Sequence, residues 1–374
     1  MQRKRACKRM IAFVMVMVIL VVLVMIIFPP SKGEMPQFQD DNGEILSDSI
    51  SEKCYLEING EKLGMILLAK DKNKPVLLVC GGGPGIPEYL LESGYPSTLS
   101  DEFVVCYLEY RGTGLSYNCD INIADMTTER YIADIAAVTN YLCERFSQKK
   151  IYILGHSFGS YAAIKTVQQY PEYYYAYIAM SQNCNQKESE YRAYDYMKSQ
   201  YELLGNDKMA EKFEKIPIRE SEEMYEEYFS SSLRDTAMHE LGVGTTRDMN
   251  SAISGIFFPS LKCKAYTWQE RINVWRGKAV STQFPVVAES IQFNAFEEVP
   301  SLQVPIYFFA GQYDYTCCYS LQKEYYEQID APEKEFYTFE DSAHSPVYEE
   351  PERAQQILRK IIEMSLKMPK KAAK

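Results

Sequence analysis

Residues 151–160 read Ile-Tyr-Ile-Leu-Gly-His-Ser-Phe-Gly-Ser, and the fold turns on them. Ile151–Leu154 is a short continuous apolar run, as expected of a strand covered on both faces. Tyr161–Gln169 follows with a helical pattern. Between the two, Gly155-His156-Ser157-Phe158-Gly159 puts a serine on a tight strand-to-helix turn, its oxygen above the sheet edge. Small residues flank it because such a turn leaves no room for side chains. The G-x-S-x-G pattern alone is common. Its strand-turn-helix setting is what predicts Ser157 as a nucleophile.

The same alternation extends to both sides. Cys54–Asn59 and Lys62–Ala69 read as a hairpin around Gly60, and Pro75–Cys80 and Phe103–Leu108 as further strands. Arg130–Arg145 is an amphipathic helix with Thr128 as its expected N-cap. Tyr175–Met180, Pro305–Ala310 and Glu335–Phe339 read as strands, Leu321–Gln328 and Arg353–Met364 as helices. Alternation of this kind gives a mostly parallel sheet flanked by helices. It is interrupted over 182–300, a stretch rich in Tyr, Glu, Met and Lys with irregular helical patterning. That segment is expected as a helical cap inserted over the sheet, because strand-helix alternation resumes at Val304.

A serine hydroxyl needs a base to become a nucleophile. The chain has 3 histidines. His156 is the immediate neighbour of Ser157 and cannot easily turn onto its oxygen, and His239 reads as a helix-face residue in the cap. His344, in Phe-Glu-Asp-Ser-Ala-His-Ser-Pro after the last strand, can reach the carboxyl edge of the sheet and is the expected base. Asp314, in Gly-Gln-Tyr-Asp after the preceding strand, is the expected orienting acid. The order Ser157, Asp314, His344 matches one hydrolase architecture. Acyl transfer also needs donors for the oxyanion. The Phe158 N–H is one, and Gly82 or Gly83, in the Gly-rich turn after Pro75–Cys80, is the expected second. That turn lacks the spacing of a phosphate-binding loop.

Five motifs now stand in order: Gly81-Gly-Gly-Pro-Gly85, Tyr110-Arg-Gly-Thr-Gly114, Gly155-His-Ser-Phe-Gly-Ser160, Gly311-Gln-Tyr-Asp314 and Ser342-Ala-His-Ser-Pro346. Across about residues 52–367 the chain resembles an α/β-hydrolase of the proline iminopeptidase-like group of serine peptidases. The resemblance implies the α/β-hydrolase fold and the same Ser157, Asp314, His344 triad. It also marks departures. Gly81 stands where the family has His, and Glu109-Tyr110-Arg111-Gly112 where it has Asp-Gln-Arg-Gly. A cap Trp-Glu pair holds the substrate's free amine in proline iminopeptidases, and the nearest match here is Trp275-Arg276. Arg276 is therefore expected to line the substrate pocket and to favour a carboxylate or polar oxygen over an ammonium. Glu222, Glu223, Glu226 and Glu227 could substitute for the missing acid but read better as a solvated helix face.

Ile11–Phe28 contains no charge, and with Met10 it could span roughly 28 Å as a helix, close to one hydrocarbon core. Arg3, Lys4, Arg5, Lys8 and Arg9 precede it. This predicts a single-pass anchor in the cell membrane with the rest of the chain on the extracytoplasmic side. A cleaved signal peptide is the alternative, weakened by the missing small-x-small site after Phe28. The expected organisation is a basic cytoplasmic head (1–9), a transmembrane helix (10–28), a tether (29–50), hydrolase core (51–181), helical cap (182–300) and the second part of the core (301–374).

With 374 residues, 46% of them hydrophobic, and a net charge of -11, the chain is globular and an improbable partner for nucleic acid. Its 10 cysteines show no C-x-x-C spacing, so a zinc site is not expected, and most read as buried small hydrophobes. No metal or organic cofactor is called for. The expected substrate is a small molecule or short peptide, cleaved at an amide through an acyl-enzyme, with small esters as the alternative. A non-catalytic binding protein on the same fold is the third reading.

Overall fold

The computed structural model describes residues 10, 13–19, 25 and 27–367. The expected transmembrane span over 10–28 falls in part on residues outside these. Among the described residues, no helix is long and apolar enough to cross a membrane.

Eight strands form one sheet: β1 (Ile50–Ile58), β2 (Glu61–Ala69), β3 (Val76–Cys80), β4 (Val104–Leu108), β5 (Ile151–His156), β6 (Tyr174–Met180), β7 (Ile306–Gly311) and β8 (Lys334–Phe339). Their order across the sheet is β1-β2-β4-β3-β5-β6-β7-β8. β1 pairs antiparallel with β2, and β2 with β4; every later pairing is parallel. The hairpin turns at Asn59 and Gly60, both with positive φ, as a tight two-residue turn requires. Every residue of β3, β4, β5 and β7 is buried, which is why they read as unbroken apolar runs rather than alternating ones.

Helices Thr128–Arg145, Phe158–Gln169, Tyr319–Gln328 and Pro351–Lys367 follow β4, β5, β7 and β8. The N-cap of the first is Thr127, not the expected Thr128. Thr127 Oγ1 accepts from Arg130 N at 3.4 Å, while the Thr128 hydroxyl is taken by Tyr161 and Glu289.

Between β6 and β7 the chain is helical, from Gln186–Leu203 through Trp268–Ser281 to Ala295–Glu298. Part of this region has its own core, with Tyr194, Met197, Phe213, Tyr228 and Met238 buried together.

Residues 29–50, expected as a tether, lie along the body instead. Arg271 Nη1 donates to the Pro29 carbonyl at 3.0 Å, Ser31 Oγ bonds to the Lys264 carbonyl, Lys32 bridges to Thr267, and Lys72 N donates to the Asp48 carbonyl at 2.8 Å. A Pro-rich, weakly apolar sequence suggests a free linker. Here it is held by main-chain bonds, by the Ser31 hydroxyl and by Met35 and Phe38 packed on the core, a set of scattered contacts that composition does not report.

Candidate active site

Ser157 sits between the end of β5 and the first residue of helix Phe158–Gln169, with φ 56° and ψ -124°. Such a backbone costs a non-glycine residue about 1–3 kcal/mol and survives only where its surroundings enforce it. The enforcement comes from close packing on both sides. A Cβ on Gly155 would lie 2.6 Å from Ser160 Cα, and one on Gly159 would lie 2.0 Å from the Cys80 carbonyl oxygen. Phe158 opens the helix, so its N–H has no acceptor within the helix.

His344 and Asp314 come together as expected. His344 Nδ1 lies 3.0 Å from each Asp314 carboxylate oxygen, and Asp314 is wholly inaccessible to solvent. The carboxylate also accepts from the N–H groups of Thr316 and Cys317, each at 2.9 Å, and from Gln322 Nε2 at 3.3 Å. It is thus held as an acceptor with one oxygen pair aimed at the imidazole. The His344 loop joins Ser157's turn through His156, whose Nε2 lies 2.8 Å from the His344 carbonyl oxygen.

The two oxyanion candidates separate. The Gly82 N–H is spent on Glu88 Oε2 at 3.1 Å. Gly83, with φ 114°, has its N–H uncommitted among the described residues. A Cβ on Gly82 would lie 3.1 Å from Ser157 Cβ, which puts this loop directly against the serine. Gly83 and Phe158 are therefore the pair free to donate, and Gly82 is not.

Glu88 carries no signal in the sequence reading, yet it organises the site. It is buried, and its Oε1 lies 2.8 Å from His156 Nδ1. Burial disfavours both charges. For His156 the Glu88 carboxylate outweighs it and holds the imidazole above its ordinary value; for Glu88 the His156 charge and the Gly82 N–H hold the carboxyl below its own. The residue also explains Gly81. A Cβ there would approach Glu88 Cβ to 2.6 Å, so a histidine at 81 and a glutamate at 88 cannot share this space. The missing histidine at 81 was the available clue.

Glu349 was also missed. Its Oε1 accepts from Ala343 N at 3.0 Å and Ser345 N at 3.1 Å, the residues on either side of His344. Its Oε2 accepts from Arg247 N, in the cap, at 2.7 Å. Burial pushes its carboxyl up to about 7.

Arg276 is not brought to the site. It is exposed on helix Trp268–Ser281, whose inner face carries Gly277, packed against Thr113. Trp275 is half-buried and bonded to Ser260 Oγ at 2.9 Å. Lys278 is the cation that reaches the Gly-rich loop, with Nζ 3.3 Å from the Gly83 carbonyl oxygen and 3.4 Å from that of Pro84. Glu222, Glu223, Glu226 and Glu227 lie on an exposed helix face. His239 is a buried cap residue, its Nδ1 2.8 Å from the Asp235 carbonyl oxygen. Of the remaining motif residues, Arg111 is structural: its guanidinium forms a buried pair with Asp134 at 2.6 and 2.8 Å. All nine described cysteines are free, six of them buried.

The family described as alpha/beta hydrolase fold matches residues 75–351. The probable aminopeptidase YbaC of Bacillus subtilis (strain 168) is 30% identical over 303 residues, 81% of this chain and 93% of its own length. Among solved structures, proline iminopeptidase from Mycobacterium smegmatis superposes with a TM-score of 0.57 at 14% identity, covering 84% of this chain and 99% of its own. A thermophilic esterase from Thermogutta terrifontis gives 0.52 at 18%, covering 84% and 99%. These likenesses bear out the α/β-hydrolase reading and the proline iminopeptidase-like resemblance. The solved structures add the fold alone, shared by peptidase and esterase.

Proposed function

The chain belongs to the α/β-hydrolase family, and we propose that it is a serine hydrolase working through an acyl-enzyme on Ser157. The observation that carries this is the strained serine turn with an uncommitted Phe158 N–H, tied through its neighbour His156 to the loop of a buried His344–Asp314 pair. In this reading Nε2 of His344 takes the Ser157 proton as the oxygen attacks a carbonyl carbon. Asp314, on Nδ1, fixes the tautomer and stabilises the imidazolium. The Phe158 and Gly83 N–H groups receive the oxyanion. The leaving group departs with the proton from His344. Water, deprotonated by the same imidazole, then frees the acid and restores the serine.

The substrate reading is a small peptide or amide cleaved as by an aminopeptidase, supported by the name of the Bacillus subtilis relative. A second reading, a small ester, is favoured by one observation: Glu88, the carboxylate that reaches the Ser157 loop, is already paired with His156 and offers little to a substrate ammonium. The apolar run Ile11–Phe28 and the basic residues before it support anchoring through residues 10–28, with the hydrolase on the extracytoplasmic side of the cell membrane.

The test is labelling of the full chain with a fluorophosphonate, followed by aminoacyl-naphthylamides and p-nitrophenyl esters. Ser157→Ala is expected to abolish labelling and to lower turnover by about 10⁴-fold or more while leaving thermal stability unchanged. Labelling that survives Ser157→Ala moves the nucleophile elsewhere. Esterolysis without any aminoacylamide turnover selects the ester reading.

A further inference from the structure

Arg271 is almost wholly buried, at 1% exposure, yet among the described residues no carboxylate pairs with it. Its guanidinium is instead satisfied by main-chain oxygens: Nε donates to Cys263 at 3.0 Å and Tyr266 at 3.1 Å, and Nη1 to Leu261 at 2.7 Å and Pro29 at 3.0 Å. A buried guanidinium must fill its donor positions, so this arrangement fixes the 261–266 turn and the chain at Pro29 to one another. Pro29 is the residue directly after the apolar run. The ring of Phe28, its last residue, stacks on Phe258 with centroids 6.2 Å apart and planes 7° apart. Ser31 and Lys32 continue the attachment along Lys264 and Thr267.

The run therefore emerges onto one particular face, with no slack. An extended residue spans at most about 3.6 Å, so surface beside Pro29 stays within about 10 Å of wherever Phe28 lies. That face has its own character. Residues 251–264 read Ser-Ala-Ile-Ser-Gly-Ile-Phe-Phe-Pro-Ser-Leu-Lys-Cys-Lys, with two lysines and no acid, in a chain whose net charge is -11. Ile253 is 63% and Phe258 45% exposed, and Lys262 and Lys264 are exposed beside them. A cavity of about 720 Å³ opens here, lined by Met35, Leu90 and Phe258 among others, with Lys262, Lys264 and one acid, Glu34, in its wall. Exposed large apolar side chains flanked by lysines suit the boundary of an anionic bilayer, where rings enter the acyl region and ammonium groups meet headgroups.

We propose that residues 251–264 form a lipid-facing surface that seats the hydrolase on an anionic membrane beside its own anchor. The inference rests on the anchored reading above. Docking through this face fixes the cap's orientation, because the same turn leads into helix Trp268–Ser281, whose Lys278 touches the Gly-rich loop of the site.

The experiment reconstitutes the full chain in vesicles of phosphatidylcholine and phosphatidylglycerol, with ordinary or brominated acyl chains. Phe258→Trp and Ile253→Trp probe the face, and Leu203→Trp, on the exposed end of another cap helix, is the control. Emission is read as the difference from the wild type, which has its own Trp268 and Trp275. Flotation after alkaline carbonate washing reports the anchor independently. The expected result is flotation with the added emission at 258 and 253 quenched by about half in brominated lipid and that at 203 unchanged. A chain that floats but shows no more quenching at 258 and 253 than at 203 overturns the lipid-facing surface and leaves the anchor standing. A chain that does not float overturns the anchor, and this surface with it. Lys262→Glu with Lys264→Glu should reduce quenching at 258 in phosphatidylglycerol vesicles about twofold and have no effect in phosphatidylcholine alone; equal effects in both lipids would overturn the electrostatic part.

Discussion

The carboxyl edge of the sheet and the cap above it are held by different kinds of interaction. At the edge, each group of the proposed triad lies among backbone donors, close glycine contacts and buried charge. Asp314 accepts two N–H bonds, and Glu349 clasps both neighbours of His344. The cap is held by aromatic packing, such as Tyr194 edge-on to Phe213 and to Tyr228. It meets the core through many side-chain bonds, including Tyr266 to Glu109 at 2.7 Å and Lys53 to Glu270 at 2.8 Å, and through backbone bonds such as Val286 N to the Met126 carbonyl at 2.9 Å. The difference is one of tolerance. An edge contact of 3 Å permits one residue type, whereas a cap contact permits many of similar volume. The proposed chemistry therefore leaves its trace in short motifs, whereas substrate preference does not.

If the edge works as one unit, its parts should fail together. His344→Ala is expected to cost about as much turnover as Ser157→Ala, because the members of a catalytic unit are not additive. Asp314→Asn should cost somewhat less. Single-turnover rates on a p-nitrophenyl ester measure this. A His344→Ala variant within about tenfold of wild type would place the base elsewhere and dissolve the contrast between edge and cap.

Glu88 tests the next level, where a residue acts through others. It ties the Gly82 N–H on one loop to His156, and through His156 to the His344 carbonyl. Glu88→Gln removes the charge that stabilises a buried imidazolium, a loss on the order of 3–5 kcal/mol when one member of such a pair is deleted. We expect a lower melting temperature and kcat reduced about tenfold with KM little changed, since the loops move and the pocket does not. A change confined to KM would make Glu88 a substrate contact instead.

Legibility follows the same division. The strands were readable because buried parallel strands are continuous apolar runs, and Ser157, Asp314 and His344 could be placed at the sheet edge because each comes soon after such a run. Glu88 was not readable, because its partner His156 is 68 positions away, and the glycine at 81 that leaves room for it does not name it. The N-cap fell one residue early, at Thr127, because two adjacent threonines are equally good caps and only the Tyr161–Thr128 contact decides between them. Residues 29–50 read as a linker because what holds them is a scatter of single bonds to distant groups, with Met35 and Phe38 as isolated apolar contacts, and this leaves no periodic trace.

Glu109 joins edge and cap, so its titration reports their coupling. It is buried, and accepts from Leu115 N at 2.6 Å and Tyr266 OH at 2.7 Å. Burial, which outweighs these bonds, pushes its carboxyl from the ordinary 4.5 up to about 8. Across that window the folded chain holds a proton that the unfolded chain has released. Stability from this group is therefore full below about 4.5 and falls as pH rises towards 8. Glu109→Gln mimics the neutral acid, so it should match wild type in acid and melt higher above pH 8. Glu349, shifted the same way to about 7, leaves part of the slope in both proteins below that value. Identical slopes for wild type and variant between 7 and 8 would mean that Glu109 is ionised in the fold.

The smallest expected effect separates two cations on one cap helix. By resemblance, Arg276 occupies the place of an amine-binding acid, but helix phase is set by Gly277, whose Cβ position lies 2.8 Å from Thr113 Cα. That contact turns Arg276 to solvent and Lys278 to the Gly83 and Pro84 carbonyls. Arg276→Glu should then leave stability within about 0.5 kcal/mol and leave the ratio of prolyl-amide to anionic-acyl hydrolysis unchanged. Lys278→Met, which frees two carbonyls beside the expected oxyanion donor, should lower kcat several-fold on every substrate alike, because it acts on the shared step rather than on the acyl group. The pair of measurements is informative through its asymmetry. A substrate preference that follows Arg276 and ignores Lys278 would require the helix to turn towards the site when substrate binds, and Gly277 would then be the hinge to examine.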